Sequence, residues 1–188
     1  FKVGMFDPPA MVPYAATPMS VVGCAKHRKL AQKAARQSVV LLKNKNNILP
    51  IQKDVRHIFL TGPTAADINI LLGNYNGLNP NMVTLLEGVM GRLPGHTQLV
   101  YRTGSMLALP PKGEWDASAC TPPGVIHWEA IASDLVIACL GTTPAMEGEE
   151  GESFYSDDGG DRKSISLPAP QVELLKVLAK TGMPLILV

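Results

Sequence analysis

The sequence predicts an α/β fold, a mostly parallel sheet flanked by helices and truncated at both ends of a longer chain. Two observations carry this. The strand-like stretches 57–63, 135–140 and 185–188 are built on uninterrupted apolar runs (58–60, 135–140 and 185–188), the pattern of strands covered on both faces, whereas strands with one wet face alternate. These runs also take turns along the chain with segments of helical composition. At 188 residues the chain is long enough for one domain with its own core, or one domain plus a fragment of another.

Taken in order, residues 1 to about 25 contain Pro8, Pro9, Pro13 and Pro18 and show little periodicity, so they read as an extended connecting segment. Residues 26–37, rich in Ala, Lys, Arg and Gln, predict a helix whose packing face is Leu30, Ala34 and Ala35. Val39-Val40-Leu41-Leu42 reads as a buried strand stopped by the turn composition Lys43-Asn44-Lys45-Asn46-Asn47. Leu49-Pro50-Ile51 is a short anchoring patch, and residues 57–63 form a second strand that ends at Gly62-Pro63. A loop containing Gly73 and Gly77 follows. Thr84, with Glu87 three positions on, predicts a capped helix over 84–93. Residues 99–102 are a third strand, and 104–124 form a connection rich in Pro and Gly. A short helix over 127–133 leads into the strand at 135–140. A helix over 171–180 leads into the last strand.

Composition excludes several functions. Hydrophobic residues make up 46%, charged residues 18%, and mean hydropathy is +0.11, an ordinary globular balance. Net charge is +1, with no basic stripe, which argues against nucleic acid as a partner. No apolar run approaches the roughly 20 residues that span a bilayer, so no membrane partner is expected. Cys24, Cys120 and Cys139 have wide spacing and no CxxC, and His27, His57, His96 and His127 are scattered, so no metal site is expected. Phe1 in place of an initiator Met, and a last strand that stops at Val188, predict a piece of a longer polypeptide.

The stretch with the densest chemistry is Glu147-Gly148-Glu149-Glu150-Gly151-Glu152, four carboxylates in six positions, shortly after the apolar run 135–140. Crowded carboxylates repel, so one of them keeps its proton to a higher pH than an isolated Glu. That is the property of a general acid. A solvated acidic surface loop is the plainer reading of the same residues. Three features weigh against it: the preceding buried strand, the glycines Gly148, Gly151, Gly159 and Gly160, and the return through Asp161-Arg162, a pair able to anchor the loop. The connection over 142–167 is also longer than a simple link needs. Ser153 and Ser156 lack a nucleophile-elbow context, and Gly159-Gly160 is no dinucleotide fingerprint. Trp115 and Trp128 read as packing residues ahead of ligand-lining ones.

An ordered set of short motifs runs along the chain. It comprises Gly4-Met5-Phe6-Asp7-Pro8-Pro9, the run from Ala34 through Val39-Val40-Leu41-Leu42 to Asn44, Ile48-Leu49-Pro50, Gly62-Pro63, Gly73-Asn74-Tyr75, the Glu147 to Glu150 cluster, Asp161-Arg162, and Leu167-Pro168 with Gln171. This set resembles the α/β-sandwich domain of family 3 glycoside hydrolases, the β-glucosidase and β-xylosidase family. The resemblance implies a retaining, exo-acting β-glycosidase acting on oligosaccharides or aryl glycosides, β-glucosides or β-xylosides among them. Gly73-Asn74-Tyr75 leans towards the xylosidase/arabinofuranosidase branch. In that family a (β/α)8 barrel supplies the nucleophilic Asp and the sandwich supplies the acid/base Glu. Residues 1–25 then correspond to the barrel's end and the linker, and 26–188 to an incomplete sandwich domain. The Ser-Asp-Trp type nucleophile motif is not in this sequence, so the chain alone is expected to be inactive. The family pattern points to Glu149 as general acid/base, with Glu147 as alternate; residues 151–160 are inserted relative to the short form, and Glu150 is the weaker contender. Glu152 reads as solvated. No cofactor is implied, and the resemblance points to a secreted or periplasmic enzyme. The rivals are a noncatalytic carbohydrate- or partner-binding α/β module and a nucleotide-binding α/β enzyme, the latter without any phosphate loop.

Overall fold

Isoleucine, phenylalanine and leucine at 58, 59 and 60 are poor candidates for a wet surface, and all three are buried in a central strand. The computed structural model of the chain describes residues 1–73, 77, 79–109, 120–146 and 162–188. Among the described residues four strands form one all-parallel sheet: β1 (His57–Thr61), β2 (Gln98–Arg102), β3 (Leu135–Ala138) and β4 (Leu185–Leu187), in the order β2-β1-β3-β4. In register, Ile58 lies beside Leu99 and Leu135, and Ile137 beside Leu60 and Ile186. The parallel α/β expectation is met.

Alternation within each strand splits the core in two. Ile58, Leu60, Leu135, Ile137 and Ile186 share one face with Leu85, Leu86 and Val89 of α2 (Leu85–Met90) and with Ile48, Leu49 and Leu93. Phe59, Val136 and Ala138 face the other way, onto Ile126 and Ala130 of α3 (Pro123–Ile131) and Leu174 and Leu178 of α4 (Ala169–Ala179). Helices therefore cover both faces. The expected cap at Thr84 is present: its backbone N–H donates to Glu87 Oε2 at 2.7 Å, and its hydroxyl accepts from the Glu87 N–H at 3.3 Å.

The described chain forms two units, Phe1–Asn46 and Asn47–Val188. The first holds the short 3-10 turns Pro9–Met11, Pro13–Ala16 and Met19–Val21, and the helix α1 (Ala25–Ser38). The expected helix is there, but its supposed packing face is not buried; Leu30 is exposed. The expected strand at Val39-Val40-Leu41-Leu42 is also corrected. These residues adopt no strand, and Leu42 is 91% exposed. A strand exists only where a neighbour completes its hydrogen bonds and covers its side chains, and no described segment pairs with this one. Composition signals the wish to be buried, not the partner.

Candidate active site

Between β1 and β2 the chain steps to one side of the sheet through α2, and from β2 to β3 it crosses to the other side of β1 through α3. The order therefore reverses between β1 and β3. In open parallel sheets ligands bind outside the carboxyl ends of the strands at such a reversal. Here that edge is built from Thr61-Gly62-Pro63-Thr64 after β1, Thr103-Gly104-Ser105 after β2, and residues 139–146 after β3.

Close backbone packing defines this edge. Cys139 N–H donates to Thr61 O at 2.8 Å and Gly62 N–H to Thr103 O at 3.1 Å, so pairing continues past the strand ends. Gly62, at φ +121°, lies so close to β3 that a Cβ there would sit 1.8 Å from the Cys139 carbonyl oxygen. Gly104, at φ +79°, presses on Thr61 Oγ1 in the same way. Thr64 Oγ1 donates to Cys139 Sγ at 3.2 Å. Burial pushes the Cys139 thiol up, and the Thr64 hydroxyl opposes that shift. The result is an inert thiol, consistent with its expected role as a small buried hydrophobe.

Gln171 is the polar centre of the edge. Its side chain is 0% exposed. Nε2 donates to Leu107 O at 2.7 Å and Gly141 O at 2.8 Å, and Oε1 accepts the Gly141 N–H at 2.8 Å. Sequence reading noted Gln171 only as part of a motif and missed this role. A signal was present: 171, 174 and 178 follow the helical spacing of a buried stripe, which places a glutamine where Leu174 and Leu178 are inside. Among the described residues, the hydroxyls of Thr61, Ser105 and Thr143 are buried without a hydrogen-bond partner, all at strand ends or in the connections that leave them.

Beyond Gly141, a short 3-10 turn over Pro144–Met146 buries Met146, and Glu147 comes next in sequence. Glu147, Glu149, Glu150, Glu152 and Asp161 lie outside the described residues, as do Asn74, Tyr75, Trp115, Ser153, Ser156, Gly159 and Gly160. Arg162, described and half-buried, donates to the Ser166 carbonyl. Pro168 and Pro170 are buried where the chain enters α4. The packing expected of Trp128 is corrected: it is 64% exposed on α3. Ile126 and Ala130 occupy the inner face of that short helix, and Trp128 falls on the opposite side. At the end of β2, Arg102 Nε and Nη2 both donate to Glu129 Oε1, at 3.1 and 2.7 Å. The histidines are apart: His57 is beside Asp134 at the amino end of β1, His96 Nε2 lies 2.9 Å from Lys53 O, and His27 and His127 are exposed on helices. No group of three or more His, Cys, Asp or Glu able to hold a metal occurs among the described residues.

A parallel sheet with this reversal and helices on both faces defines an open α/β domain, the class of fold in which ligands bind at the carboxyl side of the sheet. Residues 39–188 match the model of the glycosyl hydrolase family 3 C-terminal domain. The chain belongs to that family. It is 30% identical over its whole length to a β-xylosidase of Formosa agariphila, covering 24% of that protein. It is 30% identical to a periplasmic β-glucosidase of Salmonella typhimurium over 86% of this chain and 22% of that one. Among solved structures, a family 3 exo-β-xylosidase in complex with a xylobiose aziridine activity-based probe superposes with TM-score 0.72 at 25% identity, over 94% of this chain and 20% of that one. A β-glucosidase from Erythrobacter marinus superposes with TM-score 0.69 at 28% identity, over 98% and 26%. The chain thus spans no more than about a quarter of the length of these relatives. No described helix is long and apolar enough to cross a membrane.

Proposed function

We propose that this chain is the sandwich-domain portion of a retaining, exo-acting β-glycosidase that hydrolyses β-xylosides or β-glucosides, and that Glu149 is its general acid/base. The observation that carries the reading is family membership joined to one sequence fact. A cluster of four glutamates follows the buried Met146 on the connection that leaves β3 at the reversal of strand order. Relatives named as β-xylosidases from Formosa agariphila and Arabidopsis thaliana support the xyloside preference. The periplasmic relative supports a location outside the cytoplasm.

In the proposed mechanism a carboxylate from a (β/α)8 barrel domain of the full-length enzyme attacks the anomeric carbon. Glu149 donates its proton to the departing glycosidic oxygen. A covalent glycosyl-enzyme forms, and Glu149, now a base, takes a proton from the water that hydrolyses it. Retention needs the two carboxyl groups roughly 5–5.5 Å apart.

The test is Glu149→Ala in the full-length enzyme. Turnover of substrates with poor leaving groups is expected to fall on the order of a hundredfold or more. Azide, as a nucleophile that needs no base, should restore activity on activated aryl glycosides. Rescue in Glu147→Ala together with near-normal Glu149→Ala would move the role to Glu147.

A further inference from the structure

We infer that one face of α1 is a binding stripe for a linear, carboxylate-bearing polysaccharide; the choice of a polysaccharide rests on the function proposed above. Residues 1–46 contain eight Lys and Arg against one acid, Asp7, a net charge of +7. The whole chain nets +1, so residues 47–188 carry −6. Five of the eight cations are on α1, which has no Asp or Glu. Lys26, Lys29, Lys33 and Arg36 recur at intervals of three, four and three. Helical geometry brings them within about 80° of arc along roughly 15 Å of the axis. In the linear sequence other residues separate them and no basic stripe is legible; the helix assembles one. All four are exposed, and among the described residues none is in an ion pair with a carboxylate.

This layout works against the helix that carries it. Like charges three or four positions apart repel. Lys26 and Arg28 also stand in the first turn, where the helix dipole favours anions and no acidic residue offsets them. Arg28 is spent on the Gly23 carbonyl. A bound polyanion relieves both penalties at once. The shape of the stripe selects the ligand, because four charges in a row match a linear polymer and not a compact ion. Leu30, Ala31 and Ala34 fall on another side of the helix, and one leucine with two alanines is too little apolar surface to seat it in a bilayer. No Phe, Tyr or Trp is on α1 for a nucleic-acid base to stack on. Lysine, three of the four charges, is depleted in protein–protein interfaces. A polysaccharide with carboxylates along its length asks only for spaced, hydrated cations, which is what lysine supplies. Bound there, it holds the enzyme beside glycoside substrate without occupying the catalytic residues.

The experiment measures binding of a fluorescent oligogalacturonate to the full-length enzyme by anisotropy. It compares the parent with Lys26→Gln/Lys29→Gln/Lys33→Gln/Arg36→Gln and with an equal charge loss elsewhere, at the exposed Lys53, Arg56, Arg92 and Lys180. The parent is expected to bind at about 50 mM salt and to lose on the order of tenfold in affinity by about 200 mM. At the lower salt the stripe variant should bind on the order of tenfold more weakly, and the control less than about threefold. Turnover of an activated aryl β-xyloside should be the same in all three. Glutamine is a good helix former, and if the fourfold variant fails to fold, Lys29→Gln/Lys33→Gln decides, with a loss of about threefold expected. No binding by the parent, or an equal loss in the control, would overturn the inference. So would parent binding as tight to duplex DNA, to polyglutamate or to phosphatidylserine vesicles at the same salt. Stripe-dependent binding without turnover of any aryl glycoside would fault the proposed function and uphold the stripe. Turnover without stripe-dependent binding would uphold that function and overturn the stripe.

Discussion

Gly62 shows how one residue can set the spacing of two strands. Its φ of +121° is a conformation that side chains rarely adopt, and the Cys139 carbonyl lies where a Cβ would be. Gly62→Ala must therefore both strain the backbone and push β1 from β3 at the carboxyl edge. Adding the cost of an unfavourable φ to that of overpacking gives a loss of about 2–4 kcal/mol. Denaturant unfolding of the parent and variant measures it, and a loss below about 0.5 kcal/mol would mean the edge is looser than this contact implies. Gly62-Pro63 was legible in the sequence as a strand terminator. The identity of the neighbour that demands glycine was not, because Cys139 is 77 positions away and only the sheet brings it close.

At the scale of elements, the turn between α3 and β3 is tied to the start of β1 by Asp134. Its Oδ2 accepts the N–H groups of Arg56 and His57, each at 2.9 Å, and the His57 ring lies 3.6 Å away. The His57 and Arg56 backbone donors, with a smaller charge contribution from His57, hold this carboxyl below its ordinary value of 3.8. A lowered folded-state value means the ionised form favours the fold. The contribution is present above the unfolded value and is lost as pH falls through the folded one. Asp134→Ala should accordingly lower Tm at pH 6, and the gap from the parent should narrow as pH falls below about 4 and close at still lower pH. A gap independent of pH would show that packing, not charge, is what Asp134 supplies.

Element prediction from sequence succeeded where the local signal and the partner were both in hand. Thr84 and Glu87 cap α2 as their spacing indicates, because both halves of a capping box lie within one turn. The runs at 58–60 and 135–138 are strands because they find one another. Val39-Val40-Leu41-Leu42 has an equally apolar composition and forms none. Trp128 departs for a related reason: a helix of nine residues has one inward side, and Ile126 and Ala130 take it.

For the whole molecule, the consequence of the proposed mechanism is a division of labour between this chain and the rest of a longer enzyme. The chain by itself is expected to show no turnover of 4-nitrophenyl β-xyloside or β-glucoside above the buffer rate, whereas the full-length enzyme hydrolyses at least one of them. A steady-state assay of both proteins checks this. Activity in the isolated chain would place the nucleophile among its own carboxylates and undo the two-domain reading.

The sequence by itself determined the class of fold, because continuous apolar runs and capped helical segments are local signals that burial on both faces of a sheet must satisfy. It also determined the family, since the ordered motifs are written in consecutive residues. Tertiary structure alone decided the strand order β2-β1-β3-β4 and hence the reversal between β1 and β3. It alone gave Gly62 its carbonyl neighbour and Gln171 its three main-chain partners. Those facts depend on which distant segments are brought within hydrogen-bonding reach, and composition and spacing carry no record of that.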